Sequence, residues 1–256
     1  MSSSFSNSFG KEQVSVAERR NRIRAVFDKV APRYDLMNDL MSFGVHRLWK
    51  RAMVRLARRF PGDDLLDLAG GTGDIARLLV KKRAGRVMVV DASPKMMLAG
   101  RKDMDTRIDW VAADGEALPF ADNAFDLVTV SFGLRNMTSP KEALRESLRC
   151  LKPGGGFVCL EFSRPSSWFA PFYDFYSFMV IPRLGALVAR EPSAYQYLIE
   201  SIRRFPAQKD LEKLMRDAGF EGVGHRNMLM GVACLHWGHK RRWGSEDNAG
   251  KEAAGE

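Results

Sequence analysis

The sequence predicts an α/β fold: a seven-stranded, mostly parallel sheet with helices on both faces, a helical cap at the N-terminal end and an apolar helical insertion late in the chain. Three observations predict it. From residue 65 onward, short apolar runs alternate with segments whose apolar residues recur at helical spacing, the pattern of repeated strand–helix units. The run Leu65-Leu66-Asp67-Leu68-Ala69 passes into Gly70-Gly71-Thr72-Gly73-Asp74, a glycine turn where the backbone can bend sharply and approach a ligand closely. Finally, 256 residues, 45% of them hydrophobic and 28% charged, suffice for one large domain with a substantial core.

From Glu18 to Ala31, Ile23, Val26, Phe27 and Val30 fall on one helical face, with Arg19, Arg20, Arg22 and Arg24 opposite. A second helix runs from about Val45 to Phe60 on the stripe Leu48, Trp49, Ala52, Met53, Leu56 and Phe60. Arg47, Lys50, Arg51, Arg55, Arg58 and Arg59 crowd its remaining surface. Tyr34–Asp39 and Ser42–Trp49 read as the polar and aromatic connection between the two. Residues 18–60 thus form the cap, and the Ser-rich segment 1–17 is expected to be a disordered tail rather than a secretory signal. Residues 61–243 form the main domain, and 244–256, polar and Gly/Ala-rich, a second disordered tail.

Within the main domain, strands are expected at 65–69, 86–91, around 108–112, 125–131 and 157–162, with helices at about 74–83, from Pro94, and at 141–151. Lys152-Pro153-Gly154-Gly155 is expected to stop the last of these. A helix at about 207–218 and strands near 220–226 and 229–236 close the sheet. The insertion, residues 168–190, is very apolar, but Asp174, Arg183, Pro171 and Pro182 make it a poor transmembrane helix; a lid over a greasy ligand or a plain buried insertion fits better.

The net charge of +9 is compatible with an anionic partner, and the two basic helices read either as a face lying on anionic lipid or as solvated surface. No added nucleic-acid-binding module is evident, so no nucleic-acid partner is expected. Cys150, Cys159 and Cys234 lie far apart with no CxxC, which suggests a reducing compartment, packing roles and no metal site.

Acids flank the glycine turn and no lysine follows it, so a phosphate is a poor ligand for this Rossmann-like loop. A nucleoside with an amino-acid tail, such as S-adenosylmethionine, suits it better. Asp67, Gly70, Gly71, Thr72 and Gly73 are candidate contacts, with Asp74 or loop amides meeting the tail; a purely structural turn is the plain alternative. Asp91, with Ala92 after it, ends the second strand where a carboxylate accepts both ribose hydroxyls, in NAD dehydrogenases and methyltransferases alike. Asp114-Gly115 follows the third strand, placed to accept the adenine amine, unless it is only a turn. Ser131 to Met137 follow the fourth strand, so Arg135 and Asn136 are expected to face the reacting group.

Several of these segments resemble one family. Tyr34-Asp35-x-Met37-Asn38-x-x-Met41-Ser42-x-x-x-His46-x-x-Trp49 is similar to the first signature of the UbiE-type ubiquinone/menaquinone C-methyltransferases, and Leu151-Lys152-Pro153-Gly154-Gly155 through Leu160-Glu161-Phe162-Ser163 to the second. Ser131-Phe132-Gly133-Leu134-Arg135-Asn136, Tyr197 to Pro206 and Ala218-Gly219-Phe220 are similar too, so the resemblance spans about Arg19 to Lys240. Gly70 departs from the cysteine the family often carries, a change expected to matter little because the backbone does the binding.

The resemblance implies methylation of a ring carbon on a polyprenylated quinol by S-adenosylmethionine, with no metal. Asn136 is then expected to hydrogen-bond a quinol oxygen and Arg135 to stabilise the phenolate or relay its proton through water, with Tyr34 and His46 gating or orienting the ring. A cytoplasmic protein is expected, and peripheral contact with the inner membrane, a homodimer or a quinone-synthesis complex stays open. Rival readings are a methyltransferase of another small molecule or RNA, an NAD-dependent oxidoreductase, and a non-enzymatic assembly subunit that only binds the cofactor.

Overall fold

The computed structural model describes residues 8–9, 12–83, 85–101, 105–180 and 192–242. The C-terminal tail 244–256 and the insertion from 181 to 190 lie outside the described residues.

Seven strands form one sheet: β3 (Asp64–Leu68), β4 (Arg86–Asp91), β5 (Ile108–Ala112), β6 (Phe125–Ser131), β7 (Leu151–Phe162), β8 (Glu221–Met228) and β9 (Ala233–His239), in the order β5-β4-β3-β6-β7-β9-β8. β5, β4, β3, β6 and β7 are parallel, whereas β9 pairs antiparallel with both β7 and β8. The chain starts at β3, builds outward through β4 and β5, then returns to lay β6 on the other side of β3. That reversal opens a crevice beyond the carboxyl ends of β3 and β6, the place where open α/β sheets bind ligands.

Alternation along the strands divides the core into two layers. Leu65, Val87, Val89, Leu127, Val158 and Leu160 face α3 (Val45–Ala57) and α4 (Asp74–Val80), packing with Met53, Ala57, Ile75 and Leu79. Leu66, Val90, Val128, Phe157 and Cys159 face α6 (Pro140–Cys150) and α9 (Gln208–Ala218), packing with Leu144, Leu211 and Met215. Helix starts follow local chemistry. Ser93 and Ser139 accept from the backbone N–H groups of Met96 and Glu142, and each is followed by proline at the first helical position, of α5 (Pro94–Gly100) and α6.

Several boundaries differ from the sequence expectation. Residues 34–42 are not a loop but a helix, α2 (Tyr34–Ser42), between α1 (Val16–Val30) and α3; Gly44, at φ +73°, makes the corner. The N-terminal segment is not wholly irregular: β1 (Ser8–Phe9) pairs with β2 (Glu12–Gln13), and α1 starts at Val16 because Ser15 caps it. Strand β7 begins six residues early, straight after α6, and absorbs Pro153 and Gly154 (φ +79°) through a register shift opposite Phe125 and Leu127. Gly156 is obligatory there, since a Cβ would stand 2.0 Å from the Phe60 ring. Finally, β9 starts at Ala233 rather than 229, because Leu229–Gly231 form a turn with three positive φ angles.

The cap's basic faces are also not what the periodicity suggests. Arg19 and Lys50 are buried, Arg20 and Lys50 pair with acids of the main domain, and Arg22 pairs with Glu12 and Glu18. Arg47, Arg51, Arg55, Arg58 and Arg59 stay at the surface of α3 and its end, Arg47 paired there with Asp39. Within the insertion, α7 (Ala170–Phe175) continues into a wider turn at Tyr176–Val180, and α8 (Pro192–Arg204) follows. Among the described residues no helix is long and apolar enough to cross a membrane.

Candidate functional site

Beyond Leu68 the chain turns through Ala69 (φ +53°), Gly71 (φ +55°) and Gly73 (φ +79°) before α4 begins. Gly70 N donates to Val90 O at 3.1 Å and Gly73 N to Gly70 O at 2.8 Å, which fixes the loop on β4 and closes it on itself. Asp91 is the hub: Oδ2 accepts from Gly71 N at 2.9 Å and Oδ1 from Ser93 N at 2.8 Å. Burial pushes its carboxyl up to about 6, and each oxygen keeps a second lone pair for a ligand. Beside it lies a cavity of about 510 Å³ bordered by Gly71, Asp91, Ala92, Asp114, Gly115 and Ser131. The Ser131 hydroxyl is buried without a partner, and Val90, Met96 and Met137 supply apolar wall. Acceptors for a diol, an acid some distance on and an apolar slot between them fit an adenosine.

Helix α1 closes this cavity from above. Arg20 reaches Asp114 and Glu116, each at 2.9 Å, Arg19 donates to Met137 O at 3.0 Å, and the Ser93 hydroxyl donates to Asp28 at 2.6 Å.

A second cavity of about 260 Å³ adjoins the first, sharing Phe27, Tyr34 and Phe132 as walls. It is mostly aromatic: Trp49 meets Phe162 edge-on at 6.4 Å, Phe132 lies 4.6 Å from Phe162, and Tyr173 and Tyr197 complete the wall. Arg135 is buried here. Its NH1 reaches both Glu161 carboxylate oxygens at 3.0 Å and Phe132 O at 2.5 Å, and its guanidinium sits 5.3 Å from the Phe162 ring centre. Burial raises Glu161 while Arg135 opposes the rise, and Arg135 Nε is left buried without a partner. Across the same cavity, His46 Nε2 lies 2.8 Å from Asp39 Oδ1. Arg47 donates to both oxygens of Asp39, at 2.7 and 2.5 Å, and with His46 draws that carboxyl down to about 2. Burial lowers His46, and its Nδ1 is buried without a partner.

The expected cofactor residues therefore divide. Gly71, Asp91, Ala92, Asp114, Gly115 and Ser131 border the larger cavity; Asp67, Gly70, Thr72 and Gly73 do not. Asp67 faces the α4 layer with Leu65, accepts from the Thr129 hydroxyl at 2.9 Å, and is pushed by burial up to about 7. Thr72 donates to Asp35, and Gly73 packs under Trp110. Asp74 is already engaged by Lys50 at 2.7 Å and Arg77 at 2.5 Å. Gly70 is tighter than expected: a Cβ there would stand 2.7 Å from Asp67 Oδ2 and 2.8 Å from Val89, so a cysteine requires both to move.

Of the expected catalytic residues, Tyr34, His46 and Arg135 meet in the aromatic cavity, whereas Asn136 borders the larger one. Tyr197 OH donates to Asn136 Oδ1 at 3.1 Å, joining the two walls. Sequence reasoning missed Glu161 as a partner, although an acid inside an apolar strand was its signal, and it missed Asp39, Arg20 and the aromatic lining, which local patterns do not reveal.

Around the mouth of the aromatic cavity, Phe43, Phe172 and Leu229 are exposed, and Trp168, Phe175 and Met230 are exposed nearby. Ser166 N donates to Met230 O at 2.8 Å, which ties the start of the insertion to the β8–β9 turn.

A family profile described as the ubiE/COQ5 methyltransferase family matches residues 14–240. The "Ubiquinone/menaquinone biosynthesis C-methyltransferase UbiE" of Rubrivivax gelatinosus is 53% identical over 233 residues, covering 91% of this chain and 92% of that protein. Its namesake in Roseobacter denitrificans is 50% identical, covering 91% and 96%. Among solved structures, an S-adenosylmethionine-dependent methyltransferase of Thermotoga maritima superposes with a TM-score of 0.60 at 20% identity, covering 86% of this chain and all of that one. The [4+2]-cyclase SpnF gives 0.56 at 18% identity, covering 75% and 81%. The latter two likenesses establish the fold alone, since one fold hosts many reactions.

Proposed function

The chain belongs to the ubiE/COQ5 methyltransferase family and is an S-adenosylmethionine-dependent C-methyltransferase of quinone biosynthesis; from that premise we propose that it methylates a ring carbon of a polyprenylated quinol, demethylmenaquinol or the corresponding ubiquinone precursor, inside the aromatic cavity. The family excludes the NAD-dependent oxidoreductase reading. One observation carries the acceptor assignment: a small, mostly aromatic cavity adjoins the adenosine-shaped one through Phe27, Tyr34 and Phe132, so a flat ring there lies next to the donor.

When bound, S-adenosylmethionine supplies an electrophilic methyl group. Asp91 would hold the ribose hydroxyls and Asp114 would meet the adenine end, with α1 as the roof. What remains for the protein is to orient the ring, exclude water and favour the phenolate. Arg135, held in place by Glu161, walls the aromatic cavity and keeps a buried Nε–H without a partner, the donor we assign to a quinol oxygen. Purified protein with S-adenosylmethionine and a prenylated demethylquinol is expected to yield a product one methyl heavier on the ring; turnover of neither quinol series removes the assignment.

The prenyl tail leaves through the apolar rim, and this rim, rather than the basic faces of the cap, carries the membrane contact. Phe172 and Leu229 line the aromatic cavity and are exposed, Phe172 by 68%, and Trp168 and Met230, close to them along the chain, are exposed apolar side chains too, Trp168 by 63%. Leu229 and Met230 hold positive φ angles, a conformation that costs about 1–3 kcal/mol for a non-glycine residue and persists only where the surroundings enforce it. Phe172→Glu with Met230→Glu is expected to reduce retention on neutral phosphatidylcholine vesicles at least about tenfold, the equivalent of ~1.4 kcal/mol. Retention that depends on anionic lipid and ignores these substitutions would return the contact to the basic helices.

A further inference from the structure

We infer that His46 is the proton acceptor for the quinol hydroxyl, held in its working tautomer by Asp39, which Arg47 in turn fixes. This rests on the quinol reading above and names the residue that completes the site. The geometry gives His46 two unlike nitrogens. Asp39 accepts two hydrogen bonds from Arg47 and is therefore an anion, and a carboxylate can only accept. The 2.8 Å contact between Asp39 Oδ1 and His46 Nε2 thus places the ring proton on Nε2 and the lone pair on Nδ1. Nδ1 is the nitrogen that is buried with no partner, on a residue that walls the aromatic cavity. Arg135 Nε, a buried donor with no partner, belongs to the same cavity. Two residues that wall one aromatic cavity thus each carry a buried polar atom with no partner, an acceptor on His46 and a donor on Arg135, a poor feature of an empty core that suits a ring bearing oxygens.

The alternatives within reach are weaker. Arg135 is a charged guanidinium and cannot take a proton. Tyr197 is raised to about 12 by burial and already donates to Asn136. Glu161 spends both oxygens on Arg135 and on the backbone of Phe162.

The step balances as follows. The quinol O–H bond breaks, its proton forms an N–H bond at Nδ1, and the electron pair stays on oxygen, which makes the neighbouring ring carbon nucleophilic. That carbon would bond to the methyl group as the methyl–sulfur bond of the donor breaks, the electron pair staying on sulfur and S-adenosylhomocysteine leaving as the neutral thioether; the carbon's own C–H proton then leaves to water, the ring regains aromaticity, and the imidazolium returns its proton to the oxygen. The net release is one proton per turnover. Asp39 steadies the imidazolium while it exists, a positioning role like that of the carboxylate in a serine-protease triad.

The charged and titratable groups around His46 are Asp39 from α2, Arg47 and Lys50 from its own helix, and Asp74 from α4, which pairs with Lys50. Arg135, with Glu161, and the hydroxyls of Tyr34, Tyr173, Tyr176 and Tyr197 share the cavity. Burial is the largest influence on His46 and lowers its pKa, which favours the neutral ring that has a lone pair to offer.

The test uses the full chain with S-adenosylmethionine and a short-tailed demethylquinol, across the range in which imidazole titrates. His46→Gln is expected to lower kcat on the order of 10²–10³-fold. Affinity for S-adenosylhomocysteine should stay within about threefold, and the acid limb of the kcat/KM profile should disappear. Asp39→Asn, whose amide can donate to Nε2 and move the ring proton to Nδ1, should lower kcat with little change in KM. Nitrogen NMR of the wild-type protein should find the neutral ring protonated on Nε2, a measurement that does not depend on any variant folding. Turnover by His46→Gln within about threefold of wild type, an unchanged acid limb, or a ring protonated on Nδ1 overturns the inference while leaving the quinol assignment intact. Absence of turnover by the wild-type protein overturns both.

Discussion

Glu161→Ala is expected to destabilise the protein by about 3–5 kcal/mol and to lower Tm by about 6–20 °C, read by thermal or urea unfolding. Glu161 and Arg135 are both buried, on β7 and in the helical turn after β6, and the pair is reinforced by the backbone N–H groups of Arg135 and Phe162. Removing the carboxylate leaves a guanidinium in an aromatic cavity with no counter-charge, where desolvation has already been incurred. Its remaining supports are Phe132 O and the face of Phe162. Such a pair adds little stability against an apolar replacement of similar volume, so Arg135→Met with Glu161→Met should recover most of the lost Tm. The double variant should still be inactive, because Arg135 Nε can no longer meet the ring. Recovery of both stability and turnover would show that the pair is packing and that the donor acts elsewhere.

That pairing marks where sequence reasoning stops. The strands β4, β5 and β6 fall where the alternation of apolar runs puts them, because a strand buried on both faces leaves a short continuous apolar signature. Asp91, Asp114 and Ser131 are legible for a related reason: a parallel sheet brings the residues after successive strands to one edge, whatever the loops between them do. What fails is local. Tyr34–Ser42 reads as a loop because its polar and aromatic residues belong to a cavity wall, not to a core-facing stripe. Leu229-Met230 reads as a strand start because the residues are apolar; they are exposed at a turn instead.

Contacts between distant elements carry no linear signal at all. Arg19 and Arg20 belong to an arginine-rich helix face that sequence assigns to solvent or lipid, yet they reach across to Met137, Asp114 and Glu116 and close the roof of the larger cavity. Asp67 departs from its expected place for the opposite reason. Its proximity to the glycine turn suggests a ligand contact, but strand alternation puts it on the Leu65 face, inside the core, where it pairs with Thr129. The period of two was sufficient to find this.

Asp91 makes the strongest claim on the donor. Asp91→Asn is expected to raise the dissociation constant for S-adenosylhomocysteine on the order of 10²–10³-fold by titration calorimetry, since hydrogen bonds to a charged acceptor contribute about 1.5–3 kcal/mol each. The pH dependence gives this a second signature. In the free protein burial raises the carboxyl from its ordinary value to about 6, so the folded state prefers the protonated form. Its contribution to stability is therefore full below the unfolded value near 3.8 and is lost as pH rises through about 6. Ligand binding runs the other way: ribose hydroxyls donate to the ionised form, so affinity should strengthen as pH rises through the same window. The ligand-induced rise in Tm should accordingly be larger at neutral pH than in mild acid, and Asp91→Asn should flatten that difference. A variant that binds as tightly as wild type, with the same pH slope, would mean that Asp91 serves only to clamp Gly71 and Ser93, and that the nucleoside is held by the remainder of the cavity.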